Sequence, residues 1–362
     1  MKLSRVVIVV AVIVVIVIAA FVVYSFLVTS APECTSTWQC AAGYPIQVGG
    51  VYAVAGIQCV NSSTYITCIG GGDANGGPRN EVFTSSAISS SSINITGWVQ
   101  DTNSYPQSID GQSCTAYSGF VYCVGGSYDD SGDDVASSYY APMESGGTVG
   151  TWNSTTSYPI PIDSQSCVAS GGFIYCVGGE NETDGTSADV TPSGNVWFAP
   201  ISSSGIGAWS SSTAYPSNVY YPSCFTANSY IYCLGGADSN DNSLSVDYYA
   251  SLSSTGIGTW TPTTSYLQAL TSPACAISSG IIYCVGGETS DGSSPTYTNA
   301  VYYAPVSSGG IGTWKRVANF PISVWTECTI SSGYMYCVGG FDGSSVGADN
   351  VVHYASLASL SA

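Results

Sequence analysis

A segment of 14 residues recurs six times along the chain, and this repeat limits the possible folds more than any other feature of the sequence. Each copy carries two cysteines nine positions apart and ends in two glycines, and successive copies lie 51 to 57 residues apart. Repeats of this length fold as supersecondary units that stack on their neighbours. The repeat therefore predicts six equivalent units. The copies read QCVNSSTYITCIGG (58–71), SCTAYSGFVYCVGG (113–126), SCVASGGFIYCVGG (166–179), SCFTANSYIYCLGG (223–236), ACAISSGIIYCVGG (274–287) and ECTISSGYMYCVGG (327–340).

The cysteine spacing predicts that each copy is an antiparallel hairpin. If its two cysteines lie opposite each other, the hairpin closes with a two-residue turn, and Gly and Asn supply the positive φ that such turns require. These turns are Ser63-Thr64, Ser118-Gly119, Gly171-Gly172, Asn228-Ser229, Ser279-Gly280 and Ser332-Gly333. Opposite residues approach to Cα separations of about 4.5 Å, at the short end of the disulfide range.

Six disulfides within the hairpins are therefore expected. The alternative is that these cysteines stay reduced, as small core residues between the units. Zinc is a poor competitor for them, because the chain has no CxxC pair and a single histidine, His353. The expected pairs are Cys59–Cys68, Cys114–Cys123, Cys167–Cys176, Cys224–Cys233, Cys275–Cys284 and Cys328–Cys337.

A second recurring piece follows each copy after a polar loop, and it predicts two more strands in each unit. This piece ends in a Trp at 152, 209, 260 and 314. An aromatic residue followed by Pro stands six or seven residues after a Trp, at 105–106, 158–159, 215–216 and 320–321. Only 8% of residues are charged and 12% are aromatic, with 42 Gly, which favours a fold of many strands and turns.

A four-stranded unit of about 50 residues, with a double glycine after its second strand and a spaced aromatic-then-Trp pair, resembles the kelch repeat. The resemblance covers residues 35–362 and implies an all-β, six-bladed β-propeller. Two features depart from the common kelch pattern, namely the cysteine pair in every unit and the lack of arginines near the first strand. The acidic-peptide partners of many kelch domains are therefore not expected here.

The two ends of the repeat region predict how the ring closes. The last unit stops after the segment NVVHYASLASLSA, which matches a third strand, so it lacks a fourth. A surplus strand-four pattern lies near the N-terminus, where Tyr44-Pro45 follows Trp38 by six residues. We expect the strand around Trp38 to complete the last blade and to remove two open sheet edges. Cys34 and Cys40 lie in this segment and, by elimination, are expected to pair with each other.

Residues 6–28 form an uninterrupted apolar run that predicts an N-terminal transmembrane helix. Its 23 residues exceed the roughly 20 that span a bilayer and the 7 to 15 of a signal-peptide core. Lys2 and Arg5 precede the run, so the positive-inside rule keeps residues 1–5 in the cytoplasm and exports the rest on a short stalk, 29–34. The alternative is a signal peptide cleaved near residues 29–31. Membrane anchorage places the propeller close to the bilayer.

The charge and cysteine content indicate an exported protein that does not bind nucleic acid. Beyond the apolar run, three cations face all 23 acids, so the surface repels phosphate backbones. All 14 cysteines also lie beyond it, which is typical of an oxidising, extracytoplasmic location. Four Asn-x-Ser/Thr sequons agree with export and predict glycosylation at Asn61, Asn94, Asn153 and Asn181.

The kelch resemblance implies a binding face formed by the loops between strands two and three and between strand four and the next strand one. Acidic residues concentrate in the first set of loops, and they predict a solvated rim, attraction of a basic partner, or a Ca²⁺ site. No other cofactor is expected. The candidate Ca²⁺ ligands are Asp129, Asp130, Asp133, Asp134, Asp238 and Asp241.

The loops between strand four and the next strand one carry acidic, amide and aromatic side chains that could bind a sugar. These side chains could equally cap turns and pack between blades. These candidates are Asp110, Gln112, Asp163, Gln165, Tyr220, Tyr221 and Trp325. We expect a recognition module for glycans or surface proteins and no catalysis, since histidine and arginine chemistry is nearly lacking. The alternatives are an envelope component that packs laterally and a carbohydrate-active enzyme that uses Asp110 and Asp163.

Overall fold

The computed structural model describes residues 34–48, 51–52, 54–62, 64–73, 77–128, 133–181, 192–292, 295–317, 319–343 and 348–361. Six antiparallel sheets, which we call blades one to six in the order of their cysteine pairs, each contain four strands in sequential order. The first strands of neighbouring blades lie against one another in a closed cycle, blade six against blade one included. The predicted six-bladed β-propeller is therefore confirmed.

Each blade runs from an inner first strand to an outer fourth strand. The first strands are Gln58–Asn61, Ser113–Tyr117, Ser166–Ser170, Ser223–Ala227, Ala274–Ser278 and Trp325–Ser331. The second strands are Ile66–Ile69, Phe120–Val124, Phe173–Val177, Tyr230–Leu234, Ile281–Val285 and Tyr334–Phe341. The third strands are Val82–Ser85, Ser138–Pro142, Val196–Ser202, Tyr248–Ser253, Val301–Ser307 and Ala348–Ser356. The fourth strands are Trp98–Gln100, Asn153–Ser154, Ser210–Ser211, Thr261–Pro262, Lys315–Arg316 and Gln39–Ala41.

Additional strands of two residues each pair with the blades or within loops. Three pair with the ends of third strands, at Gly205–Ile206, Gly256–Ile257 and Gly310–Ile311. The others pair in loops, as Gln47–Val48 with Val51–Tyr52, Val54–Ala55 with Gly72–Asp73, Ser127–Tyr128 with Asp133–Asp134, and Glu288–Thr289 with Thr296–Tyr297.

The hairpin register places the two cysteines of every blade directly opposite each other, as predicted. Their Cα atoms are 4.0–4.1 Å apart, and all six predicted disulfides form. In blades two to six both turn residues have positive φ, between 49° and 84°, which is the conformation of a type I′ turn. In blade one, Ser63 of the predicted turn lies outside the described residues.

The N-terminal strand completes blade six, as predicted. Gln39 pairs with Tyr354 and Ala41 with Val352, so the first described strand hydrogen-bonds to the last. The Cys34–Cys40 disulfide forms beside it, with 5.6 Å between the Cα atoms. Non-covalent pairing therefore joins the two ends of the ring.

The recurring Trp and the aromatic residue six or seven positions after a Trp hold neighbouring blades together; Pro follows that residue in five copies and Leu267 follows Tyr266. In each of six such pairs the rings meet edge to face, with centroids 4.8–5.1 Å apart. This is the favoured geometry for aromatic contacts. The two sequence motifs thus share one structural role. The pairs are Trp38 with Phe320, Trp98 with Tyr44, Trp152 with Tyr105, Trp209 with Tyr158, Trp260 with Tyr215 and Trp314 with Tyr266.

The predicted transmembrane helix, residues 6–28, lies outside the described residues, together with residues 1–5 and nearly all of the stalk. The ranges described here hold no helix that is long and apolar enough to cross a bilayer.

Candidate functional site

A central cavity of about 470 Å³ lies where the first strands begin, and all six blades contribute to its wall. Isolated β-bridges join two positions of the same blade. One lies four residues before the first cysteine, and the other follows the double glycine. Asp110 bridges to Ser127, and Asp163 bridges to Glu180. In the described residues, the two sets of loops therefore meet beside the cavity, at Ser127 and Glu180 for example.

Three backbone hydrogen bonds link blades two to five along the cavity, at the position three residues before the first cysteine. Ser164 N–H donates to Gly111 O at 2.9 Å, Tyr221 N–H to Ser164 O at 2.8 Å, and Ser272 N–H to Tyr221 O at 3.2 Å. All four residues have positive φ, and Tyr221 has φ of 51°. Because a bulky side chain is disfavoured at positive φ, these hydrogen bonds hold Tyr221 in a strained backbone conformation.

Further hydrogen bonds link neighbouring blades through the residue just before the first cysteine. Cys167 N–H donates to Ser113 Oγ of the preceding blade at 2.8 Å, and Cys224 N–H donates to the hydroxyl of Ser166 at 3.1 Å. In blade six this position is Glu327. Its carboxylate accepts the N–H of Cys59 in blade one and so completes the same contact across the closure of the ring.

Glu327 lines the cavity and is half-buried. Burial raises the pKa of its carboxyl group to about 8, although the Cys59 N–H opposes the shift. Sequence analysis missed Glu327. The signal was present, because blade six is the one copy of the repeat with a carboxylate before its first cysteine.

The predicted residues Asp110 and Asp163 lie on the cavity wall in neighbouring blades. Burial raises the pKa of Asp110 to about 6. Burial also raises the pKa of Asp163 well above its usual range, and the nearby charges of Asp134, Glu180 and Asp110 add to this effect. Asp163 Oδ2 accepts a hydrogen bond from the Ser164 hydroxyl at 3.1 Å, whereas its buried Oδ1 has no partner among the described residues.

The predicted residues Gln112 and Gln165 also line the cavity, but each ties two blades together. Gln112 is 1% exposed and its Nε2 donates to Ile69 O at 3.0 Å, while Gln165 is 6% exposed and its Nε2 donates to Val124 O at 2.7 Å. Within the described part of the chain, both Oε1 atoms are buried without a partner. The two amides therefore leave acceptors unused beside the carboxyl groups.

Three predicted aromatic residues form a chain of ring contacts that begins in the cavity wall. Tyr221 of blade four meets Trp325 of blade six edge to face, with ring centroids 5.3 Å apart, although blade five lies between them in the ring. Tyr220 lies 5.4 Å from Tyr221 and donates its hydroxyl to Asp241 Oδ1 at 2.6 Å. Tyr221 and Trp325 line the cavity, whereas Tyr220 belongs to its surroundings.

Among the residues that the structure describes, no basic side chain reaches the cavity. Its lining, as far as the described residues define it, contains no Lys, Arg or His. Arg79 pairs with Asp73 at 3.5 Å and with Glu81 at 2.5 Å, and Lys315–Arg316 is the outer strand of blade five. His353 lies in strand three of blade six, 1% exposed, where burial lowers its pKa to about 4. The described lining of the cavity is thus acidic, and burial favours the protonated form of its carboxyl groups.

The candidate Ca²⁺ ligands do not gather into a metal site in the part of the chain that is described, where no group of three or more His, Cys, Asp or Glu could hold a metal ion. Asp129 and Asp130 lie outside the described residues, and Asp133 and Asp134 form a short strand. Asp238 Oδ1 accepts the N–H of Asn240 at 2.8 Å and so caps its own loop. Calcium binding stays a prediction.

The four sequons differ in accessibility. Asn94 and Asn153 are exposed. The side-chain amide of Asn61 donates to Ile330 O, and that of Asn181 donates to Pro161 O at 2.6 Å. Asn153 also donates its amide, to Thr151 O at 2.9 Å, so the two pairs differ in exposure: Asn61 and Asn181 are half-buried.

Comparisons with known proteins support the fold alone. No family model matches the chain, and no curated protein matches it. The solved structure of YjhT aligns with a TM-score of 0.68 at 10% sequence identity, covering 86% of this chain and 95% of that one. Identity this low carries no information about ligand or activity.

Proposed function

We propose that the chain is a membrane-anchored, extracytoplasmic recognition module that binds the end of a glycan in its central cavity. One observation carries the proposal, namely that aromatic side chains and carboxyl groups line the same cavity. Tyr221 and Trp325 supply ring surface, while Asp110, Asp163 and Glu327 supply carboxyl groups that can accept hydrogen bonds. Sugars present hydroxyl donors along an apolar ring face, so they match both features.

The size and position of the cavity agree with this proposal. Small-molecule sites usually have volumes of about 300–1,000 Å³, and the cavity has about 470 Å³. The repeats are, we infer, of the kelch type, and the loops around the cavity correspond to the binding face of that family. Seven disulfides indicate an oxidising location. Anchorage through residues 6–28 would hold the propeller at the outer surface of the membrane.

Glycan binding is tested with the full chain in detergent on a glycan array, followed by calorimetry on the best hits. Trp325→Ala removes ring surface from the cavity, so we expect its affinity to fall about tenfold or more. Tyr128→Ala is the matched control, because Tyr128 follows the double glycine of blade two, is 37% exposed and does not line the cavity. Absence of binding by the unmodified chain, or equal losses in both variants, would overturn the proposal.

A carbohydrate-active enzyme is the second candidate, and a specific observation favours it. Asp110, Asp163 and Glu327 line one cavity, and burial raises the pKa of Glu327 to about 8, so it would hold a proton at neutral pH as a general acid must. Release of nitrophenol from a panel of nitrophenyl glycosides tests for hydrolysis. An enzyme would lose this activity in Glu327→Gln and keep it in Glu144→Gln, whose exposed carboxyl lies outside the cavity.

A further inference from the structure

We propose that the closure of the ring is sensitive to acid, because protonation of His353 releases the N-terminal strand Gln39–Ala41 from blade six. We call this strand the clasp. The inference is independent of the proposed function, since it concerns how the two ends of the propeller stay joined and not what the cavity binds.

His353 occupies a position that is aromatic in every other blade. It is the residue of strand three that pairs with the second cysteine of the blade, here Cys337. Its ring meets that of Phe320, with centroids 4.9 Å apart. Histidine differs from Phe, Tyr and Trp in that it gains a positive charge in mild acid. Blade six is therefore the blade in which this position titrates. The corresponding residues of blades one to five are Phe83, Tyr139, Trp197, Tyr248 and Tyr302.

The surroundings of His353 favour the neutral imidazole. The side chain is 1% exposed, and its buried Nε2 atom has no hydrogen-bond partner among the described residues. An imidazolium has two N–H donors, and a buried charge without partners is costly. Burial accordingly lowers the pKa of His353 to about 4. In acid, the closed ring therefore resists a proton that an exposed His353 would accept.

Burial is the cause of this lowered pKa, and no neighbouring charge contributes to it. The disulfide-bonded cysteines beside His353 do not titrate, and tyrosines stay neutral in acid. The ionisable groups on the surrounding strands of blades five and six, and next to them, are Glu327, Asp342, Asp349, Lys315, Arg316, Tyr283, Tyr302, Tyr303, Tyr334, Tyr336 and Tyr354.

The clasp is the part of blade six that opens most easily. It pairs with strand three through three residues, and Cys40 lies directly opposite His353. The Cys34–Cys40 disulfide joins the N-terminal segment only to itself, so no disulfide ties the clasp to blade six. Short terminal elements held by non-covalent contacts open before the core of a fold does.

Opening of the clasp would also uncover His353. Trp38, which precedes the clasp, meets Phe320 with ring centroids 4.8 Å apart, and Phe320 in turn contacts His353. Departure of the clasp removes the strand beside His353 and the indole that packs on Phe320. Water then reaches the imidazole, and its pKa returns toward the ordinary value.

The sign and size of the effect follow from the two pKa values. The open form binds a proton below pH 6.5, whereas the closed form does so only below about pH 4. The closed form is therefore fully favoured above pH 6.5 and loses this advantage as the pH falls through 4. Each pKa unit is a factor of ten, so acid can raise the ratio of open to closed form by at most about 300-fold.

The test is hydrogen exchange of the full chain in detergent, with disulfides intact, at pH 7 and pH 4.5. Mass spectrometry measures the protection of each peptide relative to free amides at the same pH. Protection of the clasp should fall about tenfold or more at pH 4.5, whereas that of the inner strand Ser166–Ser170 should not. The fall should disappear in His353→Tyr and, independently, in His353→Phe. Glu144→Gln, which removes an exposed acid, should keep it.

Two results would overturn the proposal. One is an equal loss of protection in the clasp and in the inner strand, or no loss in either. The other is a fall in the His353 variants as large as that in the unmodified chain. Tyr and Phe already occupy this position in other blades, and a melting midpoint at pH 7 shows whether each variant folds. The comparison of clasp and inner strand within the unmodified chain needs no variant.

Discussion

Replacement of Glu327 by Gln should make the stability of the propeller less sensitive to pH. Burial raises the pKa of Glu327 from 4.5 to about 8 in the folded chain. The folded state therefore binds a proton that the unfolded state releases. The protonated carboxyl group therefore makes its full contribution to the free energy of unfolding below pH 4.5. This contribution is lost as the pH rises through 8. Gln keeps the shape of the side chain but does not titrate.

The magnitude follows from the size of the pKa shift. One pKa unit corresponds to about 1.4 kcal/mol. The raised pKa of Glu327 should therefore lower the free energy of unfolding by at most about 5 kcal/mol at pH 9 and about 3 kcal/mol at pH 7, relative to low pH. Partial access of water through the cavity lowers both values. Even about 1 kcal/mol would shift the unfolding midpoint by a few degrees.

Thermal unfolding of the full chain in detergent, with disulfides intact, measures this effect at pH 5 and pH 8.5. The midpoint of the unmodified chain should fall more between these two values than that of Glu327→Gln. Asp110, Asp247 and Asp163, whose pKa values burial also raises, titrate in both proteins, so the difference between the proteins isolates Glu327. Glu144→Gln is the control for loss of an exposed charge. Identical pH dependence in Glu327→Gln and the unmodified chain would refute the reasoning.

Three further predictions address the closure, the inter-blade contacts and the surface. Trp38→Ala should destabilise the ring by about 3–5 kcal/mol, because this side chain is fully buried at the junction of blades five and six; a melting midpoint within a degree of the unmodified chain would contradict this. Gln112→Ala should cost about 1–3 kcal/mol in chemical unfolding, since it leaves the carbonyl of Ile69 without its amide donor. Peptide mass mapping from a glycosylating host should find glycans at Asn94 and Asn153, which are exposed, but none at the other two sequons, which are half-buried.

Local spacing in the sequence determined the architecture. Cysteines nine positions apart fit one hairpin register, and turn residues such as Asn228 and Gly172 adopt the positive φ that this register requires. The number of blades follows from the number of copies, and the unmatched strand near Trp38 follows from counting strands. These features depend on residues within one blade, or on a simple inventory of strands, so no knowledge of distant contacts was needed.

Only the tertiary structure decided which chemistry the cavity contains. Glu327 meets the N–H of Cys59 because the ring closes, and Tyr221 meets Trp325 because blades four and six both face the axis. The pKa of Asp163 depends on burial and on charges from blades two and three. Burial and electrostatic interaction depend on distance in space, and in a closed ring residues far apart in sequence become neighbours. A linear repeat therefore specifies the blades, whereas the environment of each side chain in the cavity is fixed only when all six blades meet.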